Sequence, residues 1–306
     1  MHFLRTGLLM AVLTVIFMLV GYVVGGQTGM LIAFGVSLIM HLVGYWSSDT
    51  MVLRMHGATQ VDEKTAPELH RIVGELAANA RLPMPRVCIM HNPQPNAFAT
   101  GRDPEHASVC ATTGLLELLS KEEVAGVMAH ELAHVKNRDT LTMALAATLA
   151  GSISMLANWG LWFGGRQSNG RSPLGPIGVI LVALAAPFAA MMVQMAISRS
   201  REYAADDLGS EICQRPLWLA TALKKLEQSR RKIRNPTAEA NPASAHMFIV
   251  NPLSGRNLDN LFITHPRTEN RVARLVEIAR RMGQISDQSA LPEVLAPAGG
   301  PKGPWG

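Results

Sequence analysis

Apolar residues are concentrated in four long runs without Asp, Glu, Lys or Arg. The runs cover residues 7–25, 30–46, 141–164 and 174–197. The first run has 19 residues, and a helix with a rise of about 1.5 Å per residue would then reach about 28 Å, enough to cross a bilayer core. Short polar links join the runs in pairs. The pattern therefore predicts a mainly α membrane protein with four transmembrane helices in two hairpins.

Two other interpretations of these runs stay open. The first run could be a cleaved signal peptide, although its apolar stretch is long for one and a second run follows at once. The third and fourth runs are rich in Ala, Gly and Ser, so they could form a buried helix pair instead.

The polar segments, residues 47–140 and 198–291, have patterns typical of a soluble domain. Residues 65–80 carry apolar side chains at helical spacing. Residues 86–90 and 108–112 are short apolar runs separated by turn-rich sequence, which predicts strands of a small sheet. We expect one α+β domain built from both segments.

The C-terminal part of the chain contains one helix pattern followed by a tail. Val272, Leu275, Val276 and Ala279 form an apolar stripe at helical spacing. Residues 292–306 include eight Pro or Gly residues, which cannot sustain a helix or a paired strand. This stretch predicts a flexible tail.

Composition and charge support a membrane protein. The chain is 48% hydrophobic and 17% charged, which excludes a disordered protein. Its net charge is +5, but the basic residues border the apolar runs, a placement that reflects membrane orientation and anionic lipid rather than nucleic acid. The three cysteines form no CxxC pair, so neither a disulfide framework nor a thiolate metal site is expected.

The distribution of basic residues around the runs predicts the orientation. Six lie on one side and two on the other: Arg5, Arg54, Lys136, Arg138, Arg199 and Arg201, against Arg166 and Arg171. By the positive-inside rule, both termini and both polar segments are cytoplasmic. We expect a multi-pass protein of a bacterial-type inner (plasma) membrane, with the lipid bilayer as a partner. The sequence indicates no oligomeric state.

The motif that carries chemistry is His130-Glu131-Leu132-Ala133-His134, an HExxH sequence. It lies in a stretch of good helix formers that begins with Ser120 and Glu123 at capping-box spacing. Four residues turn a helix by about 400°, so both imidazoles share one face and can bind one ion. Glu131 would then lie beside the metal, where it can activate a water molecule. A chance surface pair of histidines is the alternative.

A catalytic zinc ion takes three protein ligands, so the motif needs a third. The candidates are His91, His106, His246, His265 and the acidic pair Glu202 and Asp206. Glu202 and Asp206 are four residues apart on a predicted helix, so one can bind the metal while the other orients a histidine. An ordinary charge pattern at a helix N-terminus is the alternative.

Several segments together resemble the HtpX-type membrane zinc metalloproteases, which are gluzincins and relatives of the CAAX prenyl proteases. These segments are NAFATG at 96–101, TTGLLELL at 112–119, HELAHVKNRD at 130–139, SRSREYAAD at 198–206 and THPRTENR at 264–271. They occur in the family's order, interleaved with the four apolar runs, and the resemblance extends to about residue 282.

The resemblance implies a role for each matching residue. It implies that His130, His134 and Glu202 bind one Zn²⁺ ion per chain and that Glu131 is the general base. Asp206 would not bind the metal but would contact one of the ligand histidines and orient it.

The resemblance also implies residues that contact the substrate. Asn96 and Ala97 match edge-strand residues that hold the substrate backbone by β-augmentation. His265 and Arg271 match positions near the oxyanion, although a helix-start residue and a structural ion pair are the alternatives.

The expected activity is hydrolysis of peptide bonds by a zinc metalloendopeptidase. The family resemblance implies that its substrates are misfolded or damaged membrane proteins, in quality control and the stress response. The alternatives are a processing peptidase for specific peptides and a non-catalytic membrane scaffold with a zinc site. The presence of Glu131 argues against the scaffold.

Overall fold

The computed structural model describes residues 2–145, 199–230, 233, 235–240, 242–252, 266–285 and 295. The helices and strands in this part of the chain, named in order, are α1 (His2–Met55), β1 (Ala58–Val61), α2 (Pro67–Ala80), β2 (Arg86–Met90), β3 (Ala97–Gly101), β4 (Ala107–Thr112), α3 (Thr113–Leu118), α4 (Lys121–Lys136), α5 (Arg199–Cys213), α6 (Pro216–Arg230), α7 (Pro236–Ala240) and α8 (Thr268–Arg281). Short 3₁₀ helices lie at Pro104–His106 and Pro242–Met247.

The long helix α1 is folded back on itself. Its helical backbone is interrupted at Gly25 and Gly26, and Gly26 has a φ of +59°, which glycine adopts without a Cβ clash. The two halves run antiparallel, because Thr14 Oγ1 lies 3.0 Å from His41 Nε2 across the turn. A Cβ atom on Gly21 would overlap the carbonyl of Gly29, so the halves meet closely beside the turn.

One helical stretch among the described residues is long and apolar enough to cross a membrane, Gly25–Ser47. Its side chains Leu31 and Ile32 are 60% and 63% exposed, as expected for a surface that faces lipid. The predicted first span occupies the preceding half of α1. The predicted spans 141–164 and 174–197 lie outside the described residues, apart from residues 141–145, which are helical.

The four strands form one mixed sheet in the order β1-β2-β4-β3. Strand β1 is antiparallel to β2, β2 is parallel to β4, and β3 is antiparallel to β4 at one edge. Strand β2 has the predicted bounds and β4 begins one residue earlier than predicted. The prediction of a mainly helical chain with a small sheet is confirmed.

Helix α4 lies at the centre of the polar part of the chain. It is buried from Glu123 to Val135, with Val127, Met128 and Leu132 fully buried in the main hydrophobic cluster. It packs against α2, α5, α6 and β3. Because α5 and α6 belong to the polar segment 198–291, residues from both polar segments surround this helix.

The flanking helices differ from their predicted patterns in small ways. Helix α2 buries the predicted stripe and ends where Arg81 adopts the left-handed conformation. Helix α8 buries Ile278, whereas Val276 from the predicted stripe is only partly buried. The predicted flexible tail lies outside the described residues except for Leu295. This apolar side chain is buried in the main hydrophobic cluster.

Candidate metal centre

Helix α4 brings the two histidines of the motif together. Its first turn is held by a capping box, in which the Glu123 backbone donates to Ser120 Oγ and the Ser120 backbone donates to the Glu123 carboxylate. One turn spans His130 and His134, whose ring centres are 4.7 Å apart at 86°. Both side chains are buried, so the pair is part of the interior and not a chance surface feature.

Helix α5 supplies the third candidate ligand. Glu202 Oε2 lies 3.8 Å from His130 Nε2, and Glu202 Oε1 lies 3.6 Å from His134 Nε2. Donor atoms that share one zinc ion tetrahedrally, with bonds of about 2.0–2.1 Å, are about 3.3–3.5 Å apart. One ligand atom from each of the three residues lies within 4.8 Å of the others. Two imidazoles and one carboxylate therefore fit a metal ion of the zinc type.

The close approach of α5 to α4 depends on a glycine. A Cβ atom on Gly209 would lie 3.1 Å from the Cα and backbone nitrogen of His130, closer than a side chain normally packs. One turn before His130, a Cβ atom on Gly126 would lie 2.6 Å from the backbone nitrogen of Leu219 in α6. These small residues let three helices meet at the site.

Each histidine has a second carboxylate behind it. His130 Nδ1 lies 3.0 Å from Asp206 Oδ1, and His134 Nδ1 lies 3.2 Å from Asp139 Oδ2. Both Nε2 atoms therefore face Glu202, while the Nδ1 atoms face the supporting carboxylates. Such partners fix the tautomer and the orientation of a ligand imidazole.

Arg271 of α8 closes the network from a fully buried position. Its Nε and Nη2 donate to the two oxygens of Asp206 at 2.9 and 2.7 Å. Its Nη1 donates to the Ile249 carbonyl at 3.2 Å and lies 3.6 Å from Glu202 Oε2. Burial would raise the pKa of Asp206, but Arg271 and His130 hold it below its ordinary value. Arg271 thus keeps Asp206 ionised behind His130.

The two histidines have opposite pKa shifts. Burial lowers the pKa of His130 to about 4, and the nearby Arg271 acts in the same direction. Burial also disfavours the charged form of His134, but Asp139, Glu202 and Glu131 together raise its pKa to about 9. Because a metal needs the neutral imidazole, protonation of His134 competes with metal binding.

Glu131 lies between the histidines and the sheet. Burial and the nearby Glu202 raise its pKa to about 7, against the opposing effects of His134 and Arg271. The backbone of Ala99 in β3 also opposes this rise in the pKa of Glu131. A carboxylate with a pKa near neutral pH, fixed beside a metal site, is suited to accept a proton from water.

Asn96 and Ala97, predicted to bind the substrate backbone, bind the backbone of Ile249 and Val250 in this chain. Asn96 Nδ2 donates to the Val250 carbonyl at 2.9 Å, and the Ile249 N–H donates to the Ala97 carbonyl at 3.0 Å. These are the main-chain contacts expected of an added strand.

The other histidines proposed from sequence do not join the triad. His91 is exposed, His106 pairs with Asp103, and buried His246 lies 3.1 Å from the Met143 carbonyl. His265 lies outside the described residues.

Sequence reasoning missed Asp139 and the two glycines. Asp139 follows the end of α4, five residues after His134. Its place at the end of the segment HELAHVKNRD was the available sign that it contacts the motif. Gly126 and Gly209 gave none, because the helix contacts that require them are between residues far apart in sequence.

The buried donor set and the adjacent Glu131 are those of an HExxH metallopeptidase. The family model described as Peptidase family M48 matches residues 63–279, more than two thirds of the chain. The chain therefore belongs to peptidase family M48, in agreement with the HtpX-type resemblance.

Among solved structures, the chain is similar to the crystal structure of S. mikatae Ste24p. The two share 15% sequence identity with a TM-score of 0.48. The match covers 85% of this chain and 61% of that chain.

Proposed function

We propose that this protein is a membrane-bound zinc endopeptidase that hydrolyses peptide bonds in misfolded or damaged membrane proteins. The observation that carries the proposal is the buried cluster of His130, His134 and Glu202 with Glu131 beside it. The M48 family supports a metallopeptidase, and the ligand set favours zinc. The quality-control role rests on the resemblance to HtpX-type proteases.

In this proposal His130, His134 and Glu202 hold one zinc ion, and Asp206 and Asp139 keep the two imidazoles aligned. When bound, zinc polarises the scissile carbonyl and makes water more acidic. Glu131 accepts a proton from the attacking water and passes it to the leaving amine.

Arg271 has a positioning role in this proposal. All three of its nitrogens donate within the protein, two to Asp206 and the third to the Ile249 carbonyl. It holds Asp206 against His130 and thereby fixes the metal site. His265 stays our candidate for the group that stabilises the oxyanion, from the family resemblance alone.

The membrane part of the proposal has two supports. The stretch Gly25–Ser47 is long and apolar enough to span a bilayer. At its end the Arg102 guanidinium lies 4.9 Å from the centre of the Trp46 ring, a pairing that suits a membrane surface because tryptophan favours that interface. We propose four spans, with the catalytic part and both termini in the cytoplasm of a bacterial-type inner membrane.

The experiment compares detergent-purified wild type with Glu131→Gln on unfolded β-casein, with the zinc content measured for both. The matched control is Glu122→Gln, which changes an exposed carboxylate on the same helix. Removal of a general base slows catalysis by about 10²–10⁴-fold. We expect Glu131→Gln to bind zinc and lose cleavage, and the control to keep both. Equal cleavage by Glu131→Gln and wild type contradicts the proposal.

A further inference from the structure

One segment of the chain, Met247–Val250, lies along the outer edge of β3. We name it the cover segment. The Ile249 N–H donates to the Ala97 carbonyl at 3.0 Å. The Asn96 side chain binds Val250 twice, with Nδ2 donating to its carbonyl at 2.9 Å and Oδ1 accepting from its N–H at 3.4 Å. These are contacts to backbone atoms, so they would suit any extended peptide.

The register of β3 shows that this is the edge that an added strand would use. Asn96 bonds inward, because its carbonyl accepts from the Thr112 N–H of β4. In an antiparallel pair the next residue, Ala97, directs its N–H and carbonyl away from the partner strand. By the same alternation Ala99, two residues further along, also directs its N–H outward, and its backbone lowers the pKa of the nearby Glu131 carboxylate. The cover segment thus occupies the edge next to the proposed base.

The cover segment is packed as tightly as the core. Met247, Phe248, Ile249 and Val250 are all buried. The Phe248 ring lies 5.4 Å from the Phe98 ring of β3 and 5.1 Å from the His56 ring, in edge-on contacts. The outer edge of β3 is the groove in which an extended peptide would lie. The cover segment occupies this groove with both main-chain and side-chain contacts.

Its anchors connect it to the site and to the membrane-proximal helices. Arg271 donates to the Ile249 carbonyl. Ser244, just before the segment, pairs at 3.0 Å with His56, which follows the end of α1. His246 lies 3.1 Å from the carbonyl of Met143, near the start of the third apolar run. Movement of either helix would disturb an anchor of the segment.

We propose that the cover segment is an internal occupant of the substrate groove, and that an extended polypeptide binds Asn96 and Ala97 only after displacing it. The inference rests on the proposed function, since the competing ligand is a substrate strand. The segment and the substrate use the same amide and the same carbonyl, so both cannot be bound at once. The anchors to His56 and Met143 tie its release to the helices that enter the membrane.

The test measures hydrogen exchange and binding in the full-length, zinc-loaded Glu131→Gln protein, which does not consume the probe. The probe is unfolded β-casein. We expect the Ile249 amide to be protected in the free protein and to exchange rapidly when casein is bound. An Ile249 amide that stays protected in the casein complex overturns the inference.

A second variant directly changes the equilibrium between the covered and the open groove. Phe248→Ala removes the ring that packs on Phe98 and His56, so the groove should open more often. Since an occluded site weakens apparent affinity by the fraction of open molecules, casein should bind about tenfold more tightly. The control is Leu76→Ala, a core truncation in α2, whose side chain belongs to a different hydrophobic cluster from Phe248; equal tightening by both variants contradicts the inference.

The outcomes separate this inference from the proposed function. If wild type does not cleave casein and Glu131→Gln does not bind it, the proposed function fails and this inference fails with it. If wild type cleaves casein while the Ile249 amide keeps its protection, only the cover-segment inference is wrong. If Phe248→Ala shows no cooperative thermal transition, the variant is not folded and its casein binding is not used. The exchange of the Ile249 amide in the Glu131→Gln protein, whose cover segment is unsubstituted, then decides the inference.

Discussion

Two arginine–aspartate pairs join helices α8 and α5, one in the interior and one at the surface. Arg271 and Asp206 are buried, with Arg271 2% exposed and Asp206 fully buried, whereas Arg274 and Asp207 are half-exposed at the surface. Both pairs are bidentate, with distances between 2.6 and 2.9 Å. They therefore provide a matched comparison of the same ion pair in the interior and in water.

We expect Arg271→Met to destabilise the protein far more than Arg274→Met. Removing one partner of a buried pair leaves an uncompensated charge and costs about 3–5 kcal/mol. Here that charge is Asp206, which would also lose two hydrogen bonds. An exposed pair contributes about 0.2–1 kcal/mol, because water and salt screen it. The difference between the two variants should then be several kcal/mol.

The assay is urea unfolding of the detergent-solubilised, zinc-free proteins, so that metal binding does not mask the difference. The sign of the pH dependence follows from the pKa of Asp206, which is lowered in the wild type. This lowered pKa stabilises the wild type above the ordinary pKa of Asp206, and the stabilisation is lost as pH falls through the lowered value. In Arg271→Met burial should raise the pKa of Asp206, so its deficit relative to wild type should shrink as pH falls toward 5. Equal destabilisation by Arg271→Met and Arg274→Met would refute this reasoning.

Two further predictions concern the metal site and helix packing. Asp139→Ala removes the carboxylate behind His134 and should weaken zinc binding by about 10–100-fold, measured by competition with a chelator at pH 9. The pKa of His134 is about 9, so proton competition there is only about twofold; unchanged affinity would contradict the positioning role of Asp139. Gly126→Ala places a Cβ atom 2.6 Å from the backbone nitrogen of Leu219 and should cost about 1–3 kcal/mol. Gly74→Ala meets only Met84 Sδ at 3.8 Å and should gain up to about 1 kcal/mol of helix propensity; thermal unfolding compares the two, and equal effects would contradict the close packing of α4 on α6.

Local periodicity explains what could be predicted from sequence. The capping box and the four-residue spacing of the motif lie within one helix, so α4 and the shared face of its histidines follow from neighbouring residues. Strand β2 was also predicted, because its apolar run is bounded by turn residues. These features depend on contacts only a few residues apart.

Contacts between distant residues explain what could not be predicted. Strand β3 reads AFATG, whose residues are all buried and show no alternation, so its pattern gave no strand signal and only the family resemblance indicated an edge strand there. Arg271 binds Asp206 across 65 residues, and Asn96 binds Val250 across 154. No local pattern indicates that residues 247–250 pack on the sheet edge.

The most direct measurement is a zinc titration of the metal-free protein with casein cleavage followed at each addition. The wild type should gain activity in proportion to zinc up to one equivalent per chain and then level off. Glu131→Gln should bind the same single equivalent and stay inactive, and Glu202→Gln should bind zinc more weakly. Full wild-type cleavage without zinc, or cleavage by zinc-loaded Glu131→Gln at the wild-type rate, would contradict the zinc endopeptidase mechanism.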